Sequence, residues 1–416
     1  MATAVATTAP LDAVTYTPPT RQRVDSIDLL RGLVMVIMLL DHTRDYFSAE
    51  AFRFDPTDLS KTSVALFFTR WVTHFCAPTF FFLAGTGAYL RRARGATAGE
   101  MSRFLVSRGI WLIFLEATVI RWGISGDFLP HGTYATQTIW ALGCSMIVLA
   151  LLVHLPLWVI GAFSLTMIAV HNAFDGVRVA SCLPGQPPCG AGDVAIRLLH
   201  VSGPIALPHG IFLVALYPLI PWIGVMAAGY VFGKLYTLEA ATRRKALIRL
   251  GAAIVALFVV LRATNLYGDP GKWSVQPRGV VFTVLSFLNT NKYPPSLLYL
   301  CMTIGPGILL LAFMERERRG GIGKALITYG RVPMLFYLLQ WLYAHGAAFI
   351  VWTMAGKNTA PLHVLGNTPP EALKGAGFSL PVVYAFWILG VLLLYPICAR
   401  YAAVKARRKE WWWSYL

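Results

Sequence analysis

The chain has 416 residues, of which 56% are hydrophobic and only 13% are charged, and its mean hydropathy is +0.60. About a quarter of the residues of an average soluble domain are charged, so this composition excludes a disordered chain and argues against a water-soluble multidomain enzyme. The formal net charge is +17. Such an excess is typical either of a nucleic-acid binder or of a membrane protein with basic cytoplasmic loops.

Ten segments are candidates for transmembrane helices, which need about 20 mostly apolar residues. In chain order they are 28–47, 64–90, 104–121, 137–154, 157–171, 211–236, 246–262, 294–314, 325–352 and 380–402. Basic clusters such as Arg91–Arg94, Arg243–Lys245 and Lys405–Lys409 follow or precede several of them on one predicted side. Because basic loops are usually cytoplasmic, the sequence predicts an all-α, polytopic membrane protein with about ten transmembrane helices, N-in and C-in. The excess charge then reflects topology, and nucleic acid is not expected as a partner.

The two ends of the chain differ from this membrane domain, which is predicted to cover 23–404. Residues 1–22 are rich in Ala, Thr and Pro and lack the features of a signal peptide, which predicts a disordered cytoplasmic tail. Residues 405–416 combine basic and aromatic residues and predict a cytoplasmic tail anchored at the interface. Cys182 and Cys189 lie in the long predicted external loop 172–210, where a disulfide is permitted; whether they are bridged is open.

The first predicted span carries ionisable residues, which are costly inside a membrane and therefore indicate function. Arg31 and His42 share nearly one helix face and are separated by roughly 16 Å along the axis. Asp45 follows His42 by three residues, and Asp41 faces Asp45 at a spacing of four. A carboxylate can therefore orient the imidazole as a catalytic base. The alternative is a helix that merely ends in a hydrated polar cap.

Four further residues are candidates for the site. His74 is a second catalytic candidate, with a buried core histidine as the alternative. Glu116 lies at a height near His42 and is a candidate for substrate binding, with a structural ion pair as the alternative. Lys292 and Tyr293 precede the eighth span and predict a contact to an acceptor outside, or else an anchor for the start of that helix.

Several motifs carry a resemblance to a known family. The pattern Asp28-x-x-Arg31-Gly32, followed by an apolar stretch and His42, is similar to the first helix of the membrane acyltransferase superfamily. Further motifs are Arg70-Trp71-x-x-His74, Ala77-Pro78-x-Phe80, Arg103-Phe104-Leu105-x-x-Arg108-Gly109, Ile139-Trp140-Ala141-x-Gly143, Lys292-Tyr293-Pro294-Pro295-Ser296 and Gly330-Arg331-x-Pro333. From about 23 to 400 the chain resembles bacterial proteins related to the catalytic domain of heparan-α-glucosaminide N-acetyltransferase.

This resemblance implies an activity and a location. Members of the family transfer an acetyl or acyl group from cytoplasmic acyl-CoA to a hydroxyl or amine, often of a sugar, across the membrane. For this chain the location is the bacterial cytoplasmic (inner) membrane, and the acceptor is an extracytoplasmic glycan or glycolipid. His42 is implied as general base or acyl relay from the wider superfamily. The lysosomal enzyme has its own histidine in the loop between the first two helices, but residues 46–63 contain none.

The implied co-substrate is acetyl-CoA or another acyl-CoA, and no metal is expected because the histidines lack ligand spacing. Coenzyme A is a phosphate-bearing anion, so its binding requires cations at the cytoplasmic end. Arg31, Arg103 and Arg108 are the predicted cofactor-binding residues. The competing hypothesis is a transporter or flippase of a small polar or glycolipid substrate without covalent chemistry. In that case His42 is only a proton site.

Overall fold

The computed structural model describes residues 24–126, 133–180, 183, 189–206, 212–315, 320–363, 373–408, 410, 413 and 415. The predicted tail 1–22 lies outside the described residues. Helices make up 73% of the structure. The described α-helices are α1 (Asp25–Phe47), α2 (Val64–Trp71), α3 (Cys76–Ala93), α4 (Ala98–Leu115), α5 (Arg121–Ser125), α6 (Thr138–Leu152), α7 (Leu157–Val170), α8 (Ala191–Leu199), α9 (Leu219–Phe232), α10 (Ala240–Thr264), α11 (Val280–Leu288), α12 (Leu297–Met314), α13 (Gly321–Arg331), α14 (Pro333–Met354) and α15 (Leu380–Arg407).

Six helical segments of the described chain are long and apolar enough to cross a membrane. They are Leu157–Phe174, Leu219–Thr237, Ala240–Thr264, Leu297–Met314, Pro333–Met354 and Leu380–Arg407. The other four predicted spans correspond to α1, to α2 with α3, to α4 and to the shorter apolar helix α6. The structure therefore supports a helical membrane protein, while the number of about ten spans stays a prediction.

Helix α1 lies at the centre of the bundle. Sixteen of its 23 residues are buried, and it packs against α3, α12, α13, α14 and α15. The backbones of α1 and α13 are in direct contact. A Cβ atom added to Gly32 would lie 1.8 Å from the carbonyl oxygen of Leu326, and a Cβ atom added to Gly330 would lie 1.8 Å from the carbonyl oxygen of Asp28. Small residues allow such close helix contact in membranes. The ionisable residues of α1 consequently face protein rather than lipid, which keeps their cost low.

The predicted span 64–90 is interrupted between α2 and α3. Residues Val72–Phe75 form a 3₁₀ turn, and Pro78 lies in the first turn of α3. Because proline has no backbone N–H, the carbonyl group of His74 cannot receive the usual helical hydrogen bond from residue 78. Instead it accepts a hydrogen bond of 2.8 Å from the hydroxyl group of Tyr299.

The predicted span 325–352 is also wrong as one helix. It consists of α13 and α14, which meet at Val332, whose backbone angles are φ −129° and ψ 49°. A residue that precedes proline is disfavoured in the α region, and here Pro333 begins α14. The break leaves the side chain of Arg331, the last residue of α13, at the edge of a cavity described below.

A small sheet was not predicted. Its strands are β1 (Thr133–Thr136), β2 (Gly203–Ala206) and β3 (Phe212–Ala215), in the order β1-β3-β2. β3 pairs in parallel with β1 and antiparallel with β2, with Thr136 opposite Ala215 and Gly203 opposite Ala215. The predicted span 211–236 therefore starts as a strand, and its helix begins only at Leu219. Ala135 of β1 and Val214 of β3 line the second of two cavities described below.

Candidate active site

Two cavities lie next to each other in the described part of the bundle. The first, which we call the basic cavity, has a volume of about 430 Å³. The second, which we call the histidine cavity, has a volume of about 420 Å³. Both are lined by side chains from α1, α3, α6 and α14, and they share Phe80, Thr138 and Tyr337 as a common wall.

The basic cavity combines cations with an apolar interior. Its cationic lining residues are Arg31, Arg91, Arg94, Arg108, Arg331 and Lys405. The guanidinium group of Arg31 donates hydrogen bonds to a carboxylate oxygen of Asp28 (2.9 Å) and to the carbonyl oxygen of Gly330 (3.1 Å). Deeper in the cavity the wall is formed by Met35, Leu83, Leu112, Leu142 and Met146. Such a cavity fits a ligand with an anionic head and an extended, weakly polar arm.

Of the three predicted cofactor-binding residues, the structure brings two together. Arg31 and Arg108 line the basic cavity, and the Arg108 guanidinium carbon lies 5.7 Å from the centre of the Phe104 ring. Arg103 is exposed and lines neither cavity. On a helix, residues 103 and 108 differ by about 500° of rotation, or 140° net, so they point to different sides. Membership in one short motif therefore does not place both arginines in one cavity.

His42 projects into the histidine cavity. Both of its ring nitrogens are buried, and neither has a hydrogen-bond partner among the described residues. The imidazole packs against the indole of Trp341, with ring centres 3.6 Å apart. The predicted orientation of the imidazole by Asp45 or Asp41 is therefore not what the structure contains, and the ring is held by packing. A buried imidazole with both nitrogens unpaired remains available to a ligand in the cavity.

The two carboxylates instead bind arginines. Both carboxylate oxygens of Asp41 accept hydrogen bonds from Nη1 of Arg70, at 2.9 and 2.8 Å, and Oδ1 accepts another from the Thr73 hydroxyl at 2.9 Å. Nη1 of Arg44 lies 2.8 Å from the same carboxylate. Asp45 pairs with Arg44 as well. This cluster forms one wall of the histidine cavity, and the helical spacing of α1 does not reveal it because Arg70 lies on α2.

Lys292 and Tyr293 also line the histidine cavity. The Lys292 ammonium nitrogen lies 5.2 Å from the centre of the Tyr293 ring, and that ring makes an edge contact with Tyr217 at 5.4 Å. The predicted catalytic helix and the predicted acceptor-binding pair, which are about 250 residues apart in the chain, therefore face the same space.

A buried network fixes the backbone that carries Lys292. The guanidinium group of Arg262 donates to four backbone carbonyl groups of residues 271–289 at 2.6–2.9 Å. It also lies 3.7 Å from Asp269, whose other oxygen accepts from Asn291 N–H (2.9 Å) and from the Ser296 hydroxyl (2.5 Å). Residues 291 and 296 flank Lys292, so its position is set from both sides.

Glu116 lies outside both cavities. Its carboxylate accepts hydrogen bonds of 3.1 Å from the backbone N–H groups of Ile139 and Trp140 in the first turn of α6. A helix cap therefore takes the place of the structural ion pair that is the alternative to substrate binding by Glu116. Because α6 begins at Thr138, which belongs to the wall between the cavities, Glu116 positions that wall rather than a substrate.

This cap leads to a prediction about stability. Replacing Glu116 by alanine leaves two buried N–H groups without an acceptor, which costs about 1–3 kcal/mol. We expect Glu116→Ala to lower the melting temperature of the detergent-solubilised protein. Glu116→Gln is the matched control, because the amide keeps an acceptor oxygen, and it should lose less. Equal melting temperatures for both variants and the unmodified protein would contradict the cap.

The structure does not bring His74 to the site. His74 is 3% exposed, packs against Tyr299 with ring centres 5.4 Å apart, and lines neither cavity. Cys189 takes part in a disulfide, but Cys182 lies outside the described residues, so the bridge between them stays a prediction. Within the described residues, no three His, Cys, Asp or Glu side chains are grouped as metal ligands.

The membrane-length apolar helices, together with the charged histidine cavity inside the bundle, define a multi-pass membrane protein. A comparison with protein families then identifies it further: the description "Heparan-alpha-glucosaminide N-acetyltransferase, catalytic" matches residues 23–267, which is more than half of the chain. The chain belongs to this family, a family of transmembrane acetyltransferases. The matched part contains His42, Arg70 and Arg108, while Lys292 lies beyond it. Among curated proteins, none matched the chain.

Proposed function

We propose that this protein transfers an acetyl group from acetyl-CoA, bound in the basic cavity, to a hydroxyl or amine of a sugar acceptor in the histidine cavity. The observation that carries the proposal is the shared wall of Phe80, Thr138 and Tyr337. It places a cation-rich cavity and a cavity with an unpaired buried histidine back to back, in a chain of an acetyltransferase family.

The donor enters from the basic end. Phosphates of coenzyme A bind to the arginines at the mouth, because guanidinium groups make charge-assisted hydrogen bonds with phosphate oxygens. The pantetheine arm then lies along the apolar interior, and the thioester reaches the shared wall. The same six cations support assignment of this end to the cytoplasm, so that both termini are cytoplasmic and the acceptor approaches from the periplasmic side of a bacterial inner membrane.

The chemistry requires one base. Nε2 or Nδ1 of His42 accepts the proton of the acceptor hydroxyl or amine while that oxygen or nitrogen attacks the thioester carbonyl carbon. The resulting tetrahedral intermediate expels the coenzyme A thiolate, which takes the proton back from the imidazolium. A histidine is suited to this role because its ordinary pKa lies near neutrality. Lys292 and the arginines that bind Asp41 stabilise the negative charge that develops on the carbonyl oxygen.

Reconstitution in lipid vesicles tests the proposal. Labelled acetyl-CoA is supplied on one side, and glucosamine, glucuronic acid and glucose 1-phosphate are supplied as acceptors on the other. Acetylated sugar and free coenzyme A are expected in equal amounts. The transporter hypothesis instead predicts that sugar crosses the bilayer without acetyl-CoA and without acetylation, and that result would overturn the proposal.

The donor site yields a prediction with a matched control. Arg108 lines the basic cavity whereas Arg103, five residues earlier, is exposed and lines neither cavity. Hydrogen bonds to charged groups contribute about 1.5–3 kcal/mol, so Arg108→Gln should weaken acetyl-CoA binding by roughly tenfold or more. Arg103→Gln should stay within about twofold. Isothermal titration calorimetry in detergent measures both; equal losses would count against a donor site in this cavity.

A further inference from the structure

We infer that the acceptor carries an anionic group next to its reacting hydroxyl or amine, and that Lys292 binds this group. The inference rests on the proposed function and narrows its acceptor from sugars in general to acidic sugars. It is carried by one buried, unpaired cation that lines the histidine cavity.

The first observation is burial without a partner. Lys292 is only 8% exposed and lines the cavity. Among the described residues no hydrogen bond or ion pair of its ammonium group is found, and the ammonium nitrogen lies 5.2 Å from the centre of the Tyr293 ring. Lysine is almost never buried unless it is paired. The missing partner is therefore expected to arrive with a ligand.

The second observation is the charge balance of the cavity. Two carboxylates, Asp41 and Asp45, line it together with two guanidinium groups, Arg44 and Arg70. The four are joined by ion pairs within the cluster, including Arg70 to Asp41 at 2.8 Å and Arg44 to Asp41 at 2.8 Å. These charges compensate one another, so Lys292 adds a charge of +1 that no carboxylate of the described lining offsets.

The third observation is that Lys292 is held in place. Lysine side chains near the end of a span usually extend to water. Here the backbone of Lys292 forms a bridge with Pro295, and the Arg262 and Asp269 network fixes the loop on both sides. A cation that is fixed while facing a cavity fits a binding role better than a solvated surface charge.

The ligand chemistry follows from these contacts. An ammonium group on a buried wall binds a carboxylate or a phosphate as a compact point charge. His42 lines the same cavity, so the anionic group and the reacting hydroxyl or amine belong to one small molecule or one sugar residue. Acceptors of this class are sugar acids, with a carboxylate, and sugar phosphates, including those attached to a lipid.

Binding of three sugars to the full-length protein in nanodiscs, without acetyl-CoA, tests the inference. The probes are methyl glucoside, which is neutral, glucuronic acid and glucose 1-phosphate. We expect at least one of the two charged sugars to bind about tenfold or more tightly than the neutral one, and the stronger of the two identifies the anion as carboxylate or phosphate. Lys292→Met should reduce this preference to about twofold or less, and Lys292→Arg should retain most of it.

Lys272→Met is the matched control, because Lys272 is exposed in the loop that follows α10 and should leave the preference unchanged. Melting curves establish whether each variant is folded. If Lys292→Met does not fold, Lys292→Arg still reports on the role of the charge. Equal binding of neutral and charged sugars, or an equal loss for all three in Lys292→Met, would overturn the inference. Because this measurement uses no acetyl-CoA, its failure is distinct from a failure of acetyl transfer in vesicles.

Discussion

Replacement of His42 by glutamine is expected to lower the rate of acetyl transfer by a factor of about 10²–10⁴, the usual contribution of a general base. The imidazole is the group in the histidine cavity with two unpaired nitrogens, and an amide side chain of similar length cannot accept the acceptor proton. Binding of acetyl-CoA should be unchanged, because His42 lies outside the basic cavity. Single-turnover transfer kinetics and donor titration measure the two effects separately.

His74→Gln distinguishes between the two histidines that the sequence proposes. His74 is more deeply buried than His42, packs against Tyr299 and lines neither cavity, so its replacement should change the transfer rate by less than about tenfold. The expected pattern is a large loss for His42→Gln with a small one for His74→Gln. The reverse pattern would refute the assignment of the base to α1.

Replacement of Asp41 by asparagine is expected to destabilise the protein by about 3–5 kcal/mol, the typical cost of removing one partner from a buried ion pair. Asp41 binds both Arg70 and Arg44 and accepts a hydrogen bond from Thr73. Without its charge two guanidinium groups face a largely buried cavity wall. The measurement is thermal unfolding of the detergent-solubilised protein.

Asp58→Asn is a suitable control for this prediction. Asp58 lies in the loop before α2, where its carboxylate accepts hydrogen bonds from the backbone N–H and the hydroxyl of Ser60, and it faces solvent. Its replacement should leave the melting curve unchanged. A normal melting curve for Asp41→Asn would mean that the arginines find other partners and that the cluster does not stabilise the wall.

The sequence predicted well what depends on apolar length and on local motifs. The first helix, predicted over 28–47, covers Asp25–Phe47, and its ionisable end does face a cavity. The predicted start at 104 lies six residues after the observed start of α4 at Ala98, although Thr97 and Glu100 form a capping box whose spacing is readable in the sequence. Pro78 and Pro333 mark the breaks before α3 and α14, because proline is tolerated in the first turn of a helix but lacks the N–H that a helix interior needs, whereas α12 and α15 continue through Pro306 and Pro396.

The pairing of side chains was beyond the sequence. Helical spacing places His42 next to Asp45, but it does not reveal that Arg44 and, from another helix, Arg70 compete for the carboxylates and win because they carry permanent charge. Lys292 and His42 line one cavity because two segments that are distant in the chain meet in the fold. No local pattern encodes it. The motifs predict which residues belong to the site, whereas the fold determines which side chains they bind.

Under the proposed function, the wall of Phe80, Thr138 and Tyr337 also separates the two sides of the membrane electrically. A continuous aqueous path through the bundle would let ions run down the membrane potential, which is worth about 2.3 kcal/mol per charge for every 100 mV. Under the proposed function, two cavities separated by this wall take the place of one channel, so that the acetyl group is transferred while coenzyme A and the sugar stay on their own sides. Under the proposed function, a cell that relies on a proton gradient therefore acetylates sugars outside without dissipating that gradient.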